Sequence, residues 1–564
     1  MKVLLAAINA KYIHSNPAVY SLRAYAAEYM EFIEIAEYTI NNKTEAILAE
    51  LFLRKPEVIA FSCYIWNWNV VRELLSELPK ILPETDIWLG GPEVSYNAEE
   101  ILAQYPQLKG IMVGEGEQTF LELMRYYCGG MEKGETKPAA IKGLCLPKIG
   151  FTGVRELTDI DSIPFFYEEG FGEIESFSNR IVYYESSRGC PFRCSYCLSS
   201  IDKRVRLRSL DKVKRELQFF IDRRVPQVKF VDRTFNCNHE HALGIWNYIQ
   251  KHDNGVTNFH FEVSADILNE EELEMLSGMR PGLVQLEIGV QSTNPETIKE
   301  IRRTMNLDRL RSIVERIHAG KNIHIHLDLI AGLPHEDYDT FVRSFDDVYQ
   351  MEPEQLQLGF LKVLKGSYMH EKTGDYGIYY RSNPPYEVLY SKWLSYEEVL
   401  GLKRVEEMVE LYYNSGQFRH TLRVLEGAFE SPFRLYERLA EYYEKQGYFI
   451  NSPARSYRYD VLLAFAASED KEREPLYREL LTYDMYLREK CKSRPAFAKD
   501  LLPYKEEIRS RQQDKKEHVD VFFYQVWESD PEQIAKGCSD PTYVRFCYEN
   551  RNPLNHNAAI EIIR

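Results

Sequence analysis

The sequence predicts an α/β protein in which two series of buried strands alternate with helices and a mainly helical region follows. Apolar runs of strand length recur between segments whose apolar residues repeat at the helical period. Strands that alternate with helices form parallel sheets covered by those helices. After about residue 380 the strand pattern stops. We therefore expect a doubly wound Rossmann-like sheet, then a second parallel β/α part, then a mainly helical domain.

The first series covers residues 1–130 and predicts the doubly wound sheet. Helical periodicity marks Lys43–Leu53 and Val71–Leu82. The predicted strands are Lys2–Ile8, Phe32–Glu37, Val58–Tyr64, Asp86–Gly90 and Gly110–Val113. Such a sheet binds ligands at the carboxyl ends of its strands. A stretch rich in Gly, Pro and Lys then interrupts the pattern, so residues 131–180 are predicted to form a linker.

The second series covers residues 181–380, and its strand number decides its shape. The predicted strands are Ile181–Glu185, Gln227–Asp232, Phe259–Ser264, Leu283–Val290, Ile323–Ile330 and Gln355–Phe360. Six strands are too few for a closed eightfold barrel, so we expect a partial (β/α)6 barrel. Residues 381–564 are predicted to be mainly helical, with breaks at Pro432 and Pro453 and a strand at Val519–Gln525.

The composition is that of a globular protein of a reducing compartment. Hydrophobic residues make up 44% and charged residues 28% of the chain, which disordered proteins do not match. The ten cysteines show no disulfide framework, which favours the cytoplasm. The apolar run Met1–Asn9 is too short for a signal peptide and predicts a strand. No run approaches the roughly 20 apolar residues that span a bilayer.

The charge pattern limits a nucleic-acid partner to a local patch. A formal net charge of -16 gives no overall basic field. The one basic run, from Lys203 to Arg208, has two interpretations: a phosphate-binding patch or a solvated entry to a helix. We favour the solvated helix entry because the whole chain is acidic.

Three cysteines follow the first strand of the second series, at Cys190, Cys194 and Cys197. Three thiolates in one loop can hold three irons of a 4Fe-4S cube and leave one iron open for a ligand. Zinc is the competing interpretation, but a zinc site usually has a second cysteine or histidine arm. Cys237 is the only later candidate, and it belongs to a different loop. A purely structural cysteine trio is the third alternative.

This spacing, with Tyr196 before the last cysteine, resembles the radical S-adenosylmethionine (SAM) superfamily. The resemblance implies that SAM chelates the open iron and that an electron from the cluster cleaves it to a 5′-deoxyadenosyl radical. It also places Tyr196 near the adenine. Further strand-end residues match the family in order and are implied to contact SAM: Asp232, Glu262, Ser264, Gln291, Ser292 and Arg303.

Individual roles follow from the same resemblance. Asp232 would hold the SAM amino group, although the family's usual Gly-Gly-Glu form is absent here. Glu262 would meet the ribose hydroxyls, and Arg303 would pair with the carboxylate, which suits a guanidinium fork. Each of these residues also has a structural alternative, because buried strand-end polar groups often bond only to the backbone.

Glycine turns follow two neighbouring strands of the first series, at Gly90-Gly91-Pro92 and Gly114-Glu115-Gly116-Glu117. They let a ligand approach the backbone, and they resemble the cobalamin-binding domain that precedes many radical SAM domains. The implied cobalamin contacts are Ser62, Tyr64, Gly90, Gly91, Pro92, Gly114, Glu115, Gly116 and Glu117. His14 lacks the Asp-x-His-x-x-Gly context of a cobalt ligand, so we expect a loop histidine. A degenerate sheet that binds no cofactor is the alternative.

The resemblance implies an enzyme that uses a 4Fe-4S cluster, SAM and cobalamin to methylate an unactivated carbon. Other outcomes stay open: a rearrangement, cyclisation or redox reaction, a radical SAM modification of tRNA, or a non-catalytic iron–sulfur or cobalamin sensor. Such an enzyme needs an external electron donor such as flavodoxin or ferredoxin. The last third resembles an uncharacterised domain that trails some cobalamin-type radical SAM proteins.

Overall fold

The computed structural model describes residues 1–128, 137–168, 174–491, 493–512, 514 and 516–563. They form two compact units, each built from several stretches of chain. The first unit comprises Met1–Gly278, Lys299–Thr304 and Phe360–Lys392. The second comprises Met279–Ile298, Met305–Gly359 and Trp393–Arg564. The domain boundaries expected from the sequence stay predictions.

A seven-stranded sheet opens the first unit, in the order β2-β1-β3-β4-β5-β6-β7. The strands are β1 (Val3–Asn9), β2 (Ile33–Thr39), β3 (Val58–Ser62), β4 (Asp86–Gly90), β5 (Leu108–Met112), β6 (Leu144–Leu146) and β7 (Gly150–Phe151). The helices are α1 (Pro17–Tyr25), α2 (Thr44–Arg54), α3 (Trp68–Ile81), α4 (Pro92–Ser95), α5 (Ala98–Gln104) and α6 (Glu117–Cys128). The first five strands run parallel, as predicted.

The side chains of β1 explain why this sheet is doubly wound. Leu4, Ala6 and Ile8 belong to one hydrophobic core. The alternate residues Val3 and Leu5 belong to a second core. Because neighbouring side chains of a strand point to opposite faces, a strand that is apolar throughout requires helices on both faces.

The predicted linker is partly wrong. Residues 144–151 add β6 and β7 to the sheet in antiparallel pairing. Three-residue and two-residue strands are too short to produce a periodic signal in the sequence, so glycine and proline content dominated the prediction. Residues 129–136 and 169–173 of that linker lie outside the described residues.

The second β/α series begins in the first unit. Its elements are β8 (Val182–Tyr184), β9 (Ser187–Arg188), β10 (Arg206–Leu207), α7 (Leu210–Asp222), β11 (Gln227–Phe230), α8 (His239–Lys251), β12 (Asn258–Val263) and α9 (Glu270–Ser277). β11 pairs in parallel with β8 on one side and β12 on the other. β9 and β10 form a short antiparallel ladder.

The chain then provides the remaining predicted strands. These elements are β13 (Val284–Gln291), α10 (Pro295–Glu300), α11 (Leu307–Ala319), β14 (His324–Ala331), α12 (Tyr338–Tyr349) and β15 (Gln355–Phe360). β13 and β14 pair in parallel within the second unit. All six predicted strands are therefore present in the predicted order.

The last third is helical before it ends in a sheet. Its elements are α13 (Tyr368–Glu371), α14 (Thr373–Tyr376), β16 (Tyr379–Tyr380), β17 (Val388–Tyr390), α15 (Tyr396–Met408), α16 (Arg419–Leu425), α17 (Pro432–Gln446), α18 (Arg458–Glu469), α19 (Glu474–Arg488), α20 (Lys505–Arg511), β18 (Glu517–Tyr524), α21 (Pro531–Ile534), β19 (Gly537–Arg551) and β20 (Ala558–Ile563). The predicted strand at Val519–Gln525 belongs to an antiparallel sheet with two strands that the sequence analysis missed. Within the described ranges no helix is long and apolar enough to cross a membrane.

Candidate functional site

One ordered loop after β9 carries three free thiols: Cys190, Cys194 and Cys197. The first two are buried, each with 8% of the residue exposed, and the third is half-buried. The Ser195 N–H donates to the Ile301 carbonyl at 2.9 Å, and the Ser195 carbonyl accepts from the Met369 N–H at 2.8 Å. Backbone hydrogen bonds therefore hold the loop on both sides, which fits a preformed ligand loop.

The separation of the thiols favours a multi-iron cluster over a single metal ion. Across the described part of the chain, one group of potential ligand side chains has all its ligand atoms within 4.8 Å of one another: Glu287, His326 and Asp328. The cysteines form no such group, so their sulfurs are too far apart to surround one ion. A zinc ion draws its ligands to bond distances of about 2.3 Å or less. A cube that binds each thiolate to a different iron keeps them further apart, and the loop fits this group.

A guanidinium lies against the buried thiols. Arg303 Nη1 donates to Cys194 Sγ at 3.8 Å, and Tyr196 lies beside both groups. Burial raises the pKa of the Cys194 thiol, and Arg303 opposes that rise. Cys190 Sγ contacts Thr234 Oγ1 at 3.6 Å. Because a positive charge stabilises a thiolate, Arg303 favours the metal-binding form of Cys194.

Asp232 is already hydrogen-bonded by the protein. Its carboxylate accepts from the Ser186 N–H at 3.0 Å, the Ser186 hydroxyl at 2.6 Å and the Ser187 hydroxyl at 2.5 Å. Burial raises the pKa of Asp232 to about 6, and these hydrogen bonds oppose the rise. The contact with the SAM amino group stays a prediction, and it would require Asp232 to share its carboxylate with both serines.

The other predicted SAM residues lie at the ends of two strands. In the first unit, Glu262 is on β12, and the Ser264 hydroxyl donates to a neighbouring aspartate at 2.8 Å. In the second unit, Gln291 ends β13 with a φ of 75°. The Ser292 hydroxyl donates to Glu336 at 2.6 Å. These contacts locate the residues at strand ends, and their SAM contacts stay predictions.

Two turns at the carboxyl edge of the seven-stranded sheet expose backbone. A Cβ added to Gly91, whose φ is 106°, would lie 2.5 Å from the Cys63 carbonyl oxygen. A Cβ added to Gly114, whose φ is 83°, would meet no atom within 4 Å. Gly91 is thus required by the fold, whereas the space above Gly114 is open to a ligand. The other residues predicted in these turns are Gly90 at the end of β4, Pro92 at the start of α4, and Gly116 just before α6.

Aromatic rings lie at the same edge, where Trp66 is exposed and Tyr64 is half-buried. Tyr64 stacks on Trp66 with ring centroids 4.3 Å apart, and Ser62 precedes them at the end of β3. Sequence reasoning missed Tyr96, which follows α4 and is 43% exposed. Burial and then the nearby Cys197 raise the pKa of Tyr96, so this ring connects the sheet edge to the cysteine loop. Open backbone beside apolar rings fits a large, partly apolar cofactor such as a corrin.

Two side chains predicted to contact cobalamin bind arginines instead. Arg188 Nη2 lies 2.8 Å from Glu117 Oε1, and Arg206 forms an ion pair with Glu115. Burial alone would raise the pKa of Glu115, but Arg206 and Arg188 hold it at about 2. The cobalamin contacts at these two positions stay predictions.

The basic run leads into α7 but is solvated only at its start, so the predicted solvated helix entry is partly wrong. Arg208 is buried and pairs with Glu216 at 2.9 Å. Arg206 is half-buried against Glu115, while Lys203 and Arg204 are exposed. The partner carboxylate of Arg206 is distant in sequence, so the local pattern could not reveal it.

His14 is oriented by the second β/α series. Its Nδ1 lies 2.6 Å from the Tyr183 hydroxyl. Burial lowers the pKa of His14, and so do Lys11 and Lys229. Its predicted role as a loop histidine stays a prediction.

The second unit contains the mixed carboxylate–imidazole group that the sequence analysis did not single out. Glu287 on β13 lies opposite His326 on β14, and His326 Nε2 is 3.1 Å from Asp328. The signal was available, because alternate residues of both strands are polar.

Family comparisons match three successive stretches of the chain. Residues 3–124 match the B12 binding domain, residues 184–348 match the radical SAM superfamily, and residues 374–553 match a protein family of unknown function, DUF4080. The chain therefore contains a radical SAM domain that follows a B12 binding domain. The radical SAM match includes the cysteine loop, and the B12 match includes both glycine turns.

Curated relatives are similar at low identity. The cobalamin-dependent radical SAM methyltransferase TokK of Streptomyces tokunonensis is 23% identical over 346 residues, 57% of this chain and 50% of the relative. The 2-(S-pantetheinyl)-carbapenam-3-carboxylate methyltransferase of Streptantibioticus cattleyicolor is 23% identical over 308 residues, 51% of this chain and 44% of the relative. The anaerobic magnesium-protoporphyrin IX monomethyl ester cyclase of Cereibacter sphaeroides is 22% identical over 345 residues, 57% and 53% respectively. The chain thus spans about half the length of these relatives.

Two solved structures share the fold of this radical SAM protein. TsrM of Kitasatospora setae, with cobalamin and a [4Fe-4S] cluster bound, has a TM-score of 0.56 and 18% identity, covering 68% of this chain and 78% of that one. OxsB, with aqua-cobalamin and SAM bound, has a TM-score of 0.52 and 16% identity, covering 87% and 73%. The predicted fold class, a Rossmann-like sheet followed by a radical SAM part and a mainly helical region, is confirmed.

Proposed function

We propose that this radical SAM protein is a cobalamin-dependent enzyme that methylates an unactivated carbon of its substrate. One observation carries the proposal: the buried three-cysteine loop and the glycine edge of the B12 binding domain belong to one compact unit, with Tyr96 and Cys197 as neighbours across it. A relative named as a cobalamin-dependent radical SAM methyltransferase supports the same activity.

Each part of the site has a chemical role in this proposal. When bound, the 4Fe-4S cluster supplies one electron that splits SAM into methionine and a hydrogen-abstracting 5′-deoxyadenosyl radical, and cobalamin supplies the methyl group. The residues that would ligate the cluster are Cys190, Cys194 and Cys197. Arg303 would hold the SAM carboxylate while it donates to Cys194, because a guanidinium has five N–H donors. Tyr196 would lie against the adenine.

The other SAM contacts follow the strand ends. Glu262 would accept from the ribose hydroxyls. The residues that would complete the SAM site are Asp232, Ser264, Gln291 and Ser292. Their positions at the carboxyl ends of parallel strands support this role, because β/α sites are built there.

Cobalamin would lie along the edge of the seven-stranded sheet. Gly114 would admit the cofactor close to the backbone, and Tyr64 and Trp66 would pack against its apolar surface. The remaining proposed contacts are Ser62, Gly90, Gly91, Pro92 and Gly116, with backbone contacts only at Glu115 and Glu117.

A cyclisation is the second candidate, since the cyclase from Cereibacter sphaeroides matches a stretch of the same length as TokK. Both reactions would begin with reductive cleavage of SAM. Product analysis with SAM that carries a deuterated methyl group separates them, because only methylation transfers the label.

The proposal also includes a compartment, an electron donor and a class of substrate. The ten cysteines, which all lie in the described ranges, form no disulfide, and this supports work in the reducing cytoplasm. The cluster would receive its electron from a donor such as flavodoxin or ferredoxin. The substrate would be a small molecule or a tRNA.

Anaerobic SAM cleavage tests the enzyme. With dithionite and SAM, the cobalamin-loaded protein should release methionine and 5′-deoxyadenosine in equal amounts. Cys194→Ala should reduce this release to background and lower the iron content, whereas Cys491→Ser, in the last third, should retain both. A wild-type protein that holds iron but cleaves no SAM would overturn the proposal in favour of a sensor.

A further inference from the structure

The cysteine loop leaves and re-enters the fold through one narrow stem. β9 and β10 pair so that Arg188 lies opposite Arg206, and all three cluster cysteines lie between them. Gly189 has a φ of 100°, and a Cβ there would lie 2.3 Å from the Arg204 carbonyl oxygen. The two sides of the stem are therefore in contact. A displacement of either arginine would displace the cysteine loop.

Both stem arginines point to the same turn of the B12 binding domain. Arg188 Nη2 lies 2.8 Å from Glu117 Oε1, and Arg188 Nη1 lies 3.5 Å from Glu115 Oε1. Arg206 bonds to Glu115 and, at 2.7 Å, to the Thr158 carbonyl. These residues, Arg188, Arg206, Glu115 and Glu117, are called the clamp below.

The clamp is shielded from water. The exposed fractions of the arginine side chains are 22% and 18%, and those of Glu115 and Glu117 are 19% and 7%. Ion pairs on the surface contribute little, but a partly buried charge that loses its partner is strongly destabilised. The Thr158 N–H also donates to Glu115 at 2.9 Å. These contacts therefore keep the four side chains in a single arrangement.

The carboxylates of the clamp sit next to the open cofactor edge. Glu115 follows Gly114, above which the space is empty, and Glu117 is the first residue of α6. The turn that would carry cobalamin on its backbone thus holds the cysteine loop with its side chains.

We propose that the clamp fixes the distance and orientation between the 4Fe-4S cluster and cobalamin, and that its four residues are positioning residues for the reaction. This inference rests on the proposed function. Reacting groups must be held within a fraction of an ångström, and a misplacement of about 1 Å can cost about 10²-fold in rate.

The clamp is not the only connection between these two parts of the first unit. Arg180 pairs with Glu37 at 2.6 Å, and His14 bonds to Tyr183 at 2.6 Å. The exposed fractions of the Arg180 and Glu37 side chains are 15% and 9%, so this ion pair is as buried as the clamp but is not part of the cysteine stem. Arg180→Gln is therefore a matched control, and a clamp variant is expected to stay folded.

Electron paramagnetic resonance of the holoenzyme tests the clamp. The reduced cluster and cob(II)alamin each carry an unpaired electron, so their magnetic interaction reports their separation. The wild type should show one defined interaction. Arg188→Gln and Arg206→Gln should bind iron and cobalamin as the wild type does, while the interaction broadens or disappears. Arg180→Gln should keep the wild-type spectrum, and Arg188→Lys should restore part of it.

The outcomes separate the clamp from the proposed function. Clamp variants that keep the wild-type magnetic interaction would overturn the positioning role. Clamp variants that lose iron would overturn it as well, because the arginines would then only stabilise the cysteine loop. A wild type with both signals but no interaction also overturns it. A wild type that binds no cobalamin or no cluster contradicts the proposed function itself. SAM cleavage in the two arginine variants should stay within about twofold of wild type, because the cluster ligands are unchanged.

Discussion

Single residues at this site serve two partners at once. Arg303 donates to a cluster cysteine and is also the residue predicted to pair with the SAM carboxylate. Glu115 lies beside the open backbone of Gly114, yet its side chain binds two arginines. A rigid, multidentate side chain can organise neighbouring ligands only when all its partners are fixed, so the buried charges here act as a framework for the cofactors.

Glu336, in the second unit, shows how burial alters a single charge. It is fully buried after β14, and its Oε1 accepts from Ser292 and Ser344. Its Oε2 has no hydrogen-bond partner in the described ranges. Burial raises the pKa of Glu336 from 4.5 to about 7. The folded protein therefore binds this proton more tightly than the unfolded chain does.

The stability contribution of Glu336 should depend on pH. It is present in full below pH 4.5 and is lost as the pH rises through about 7. Glu336→Gln stays neutral and keeps Oε1, so it should be more stable than wild type at pH 8, by about 2 kcal/mol more than at pH 5. Thermal unfolding at both pH values measures this. Glu31→Gln, at an exposed position, should show no such change, and an equal offset for Glu336→Gln at both pH values would contradict the prediction.

At the scale of elements, the strands of the seven-stranded sheet determine where a ligand can bind. Side chains of β1 enter both cores, so both faces of the sheet are covered, and ligands of such sheets bind at the carboxyl edge. At that edge, Gly91 is enclosed by backbone and Gly114 is open. Glycine therefore has a structural purpose at the first position and a binding purpose at the second.

Two alanine substitutions should separate those purposes. Gly91→Ala should destabilise the sheet by about 1–3 kcal/mol or more, because the added Cβ meets the Cys63 carbonyl at a strained φ. Gly114→Ala should fold with a smaller loss but bind cobalamin at least about tenfold more weakly, the equivalent of about 1.4 kcal/mol. Absorbance titration and thermal unfolding measure the two effects.

Gly255→Ala is the control for Gly114→Ala, because it has a φ of 73° and open space but lies far along the chain, before β12. It should bind cobalamin like the wild type. Wild-type affinity in Gly114→Ala would show that cobalamin does not lie against this turn.

At the scale of the whole molecule, the chain is acidic, and part of its positive charge is paired with carboxylates inside the fold. The chain carries a net charge of -16. Two arginines of the basic run, Arg206 and Arg208, are paired with carboxylates. The field that would attract a polyanion is thus both weak overall and neutralised locally.

The protein should therefore bind tRNA no better than non-specifically, with a dissociation constant of about 10⁻⁴ to 10⁻⁶ M at physiological salt. Filter binding across a salt series measures this. Arg204, whose side chain is 75% exposed, should account for part of any residual binding, so Arg204→Ala should weaken it and reduce its salt dependence. Nanomolar binding that survives Arg204→Ala would contradict this prediction and favour RNA modification.

The sequence alone determined what depends on local pattern and chemical type. Periodicity placed the ends of the parallel strands to within two residues, because burial on both faces leaves a continuous apolar run. Three cysteines in eight residues predicted the metal-ligand loop, because the spacing of the thiols determines which metal group one loop can bind. Short strands such as β6 and β7 lacked that signal, and they were missed.

Only the tertiary structure decided how distant residues combine. Arg188 and Arg206 meet Glu115 and Glu117 across about 70 to 90 positions of chain, and no local pattern records such a pair. Tyr96 reaches Cys197 in the same way. The physical reason is that ion pairing and burial depend on separation in space, which a sequence specifies only through the whole fold. The sequence thus predicted the residues that would hold the cofactors, and the structure decided which charged side chains lie beside them.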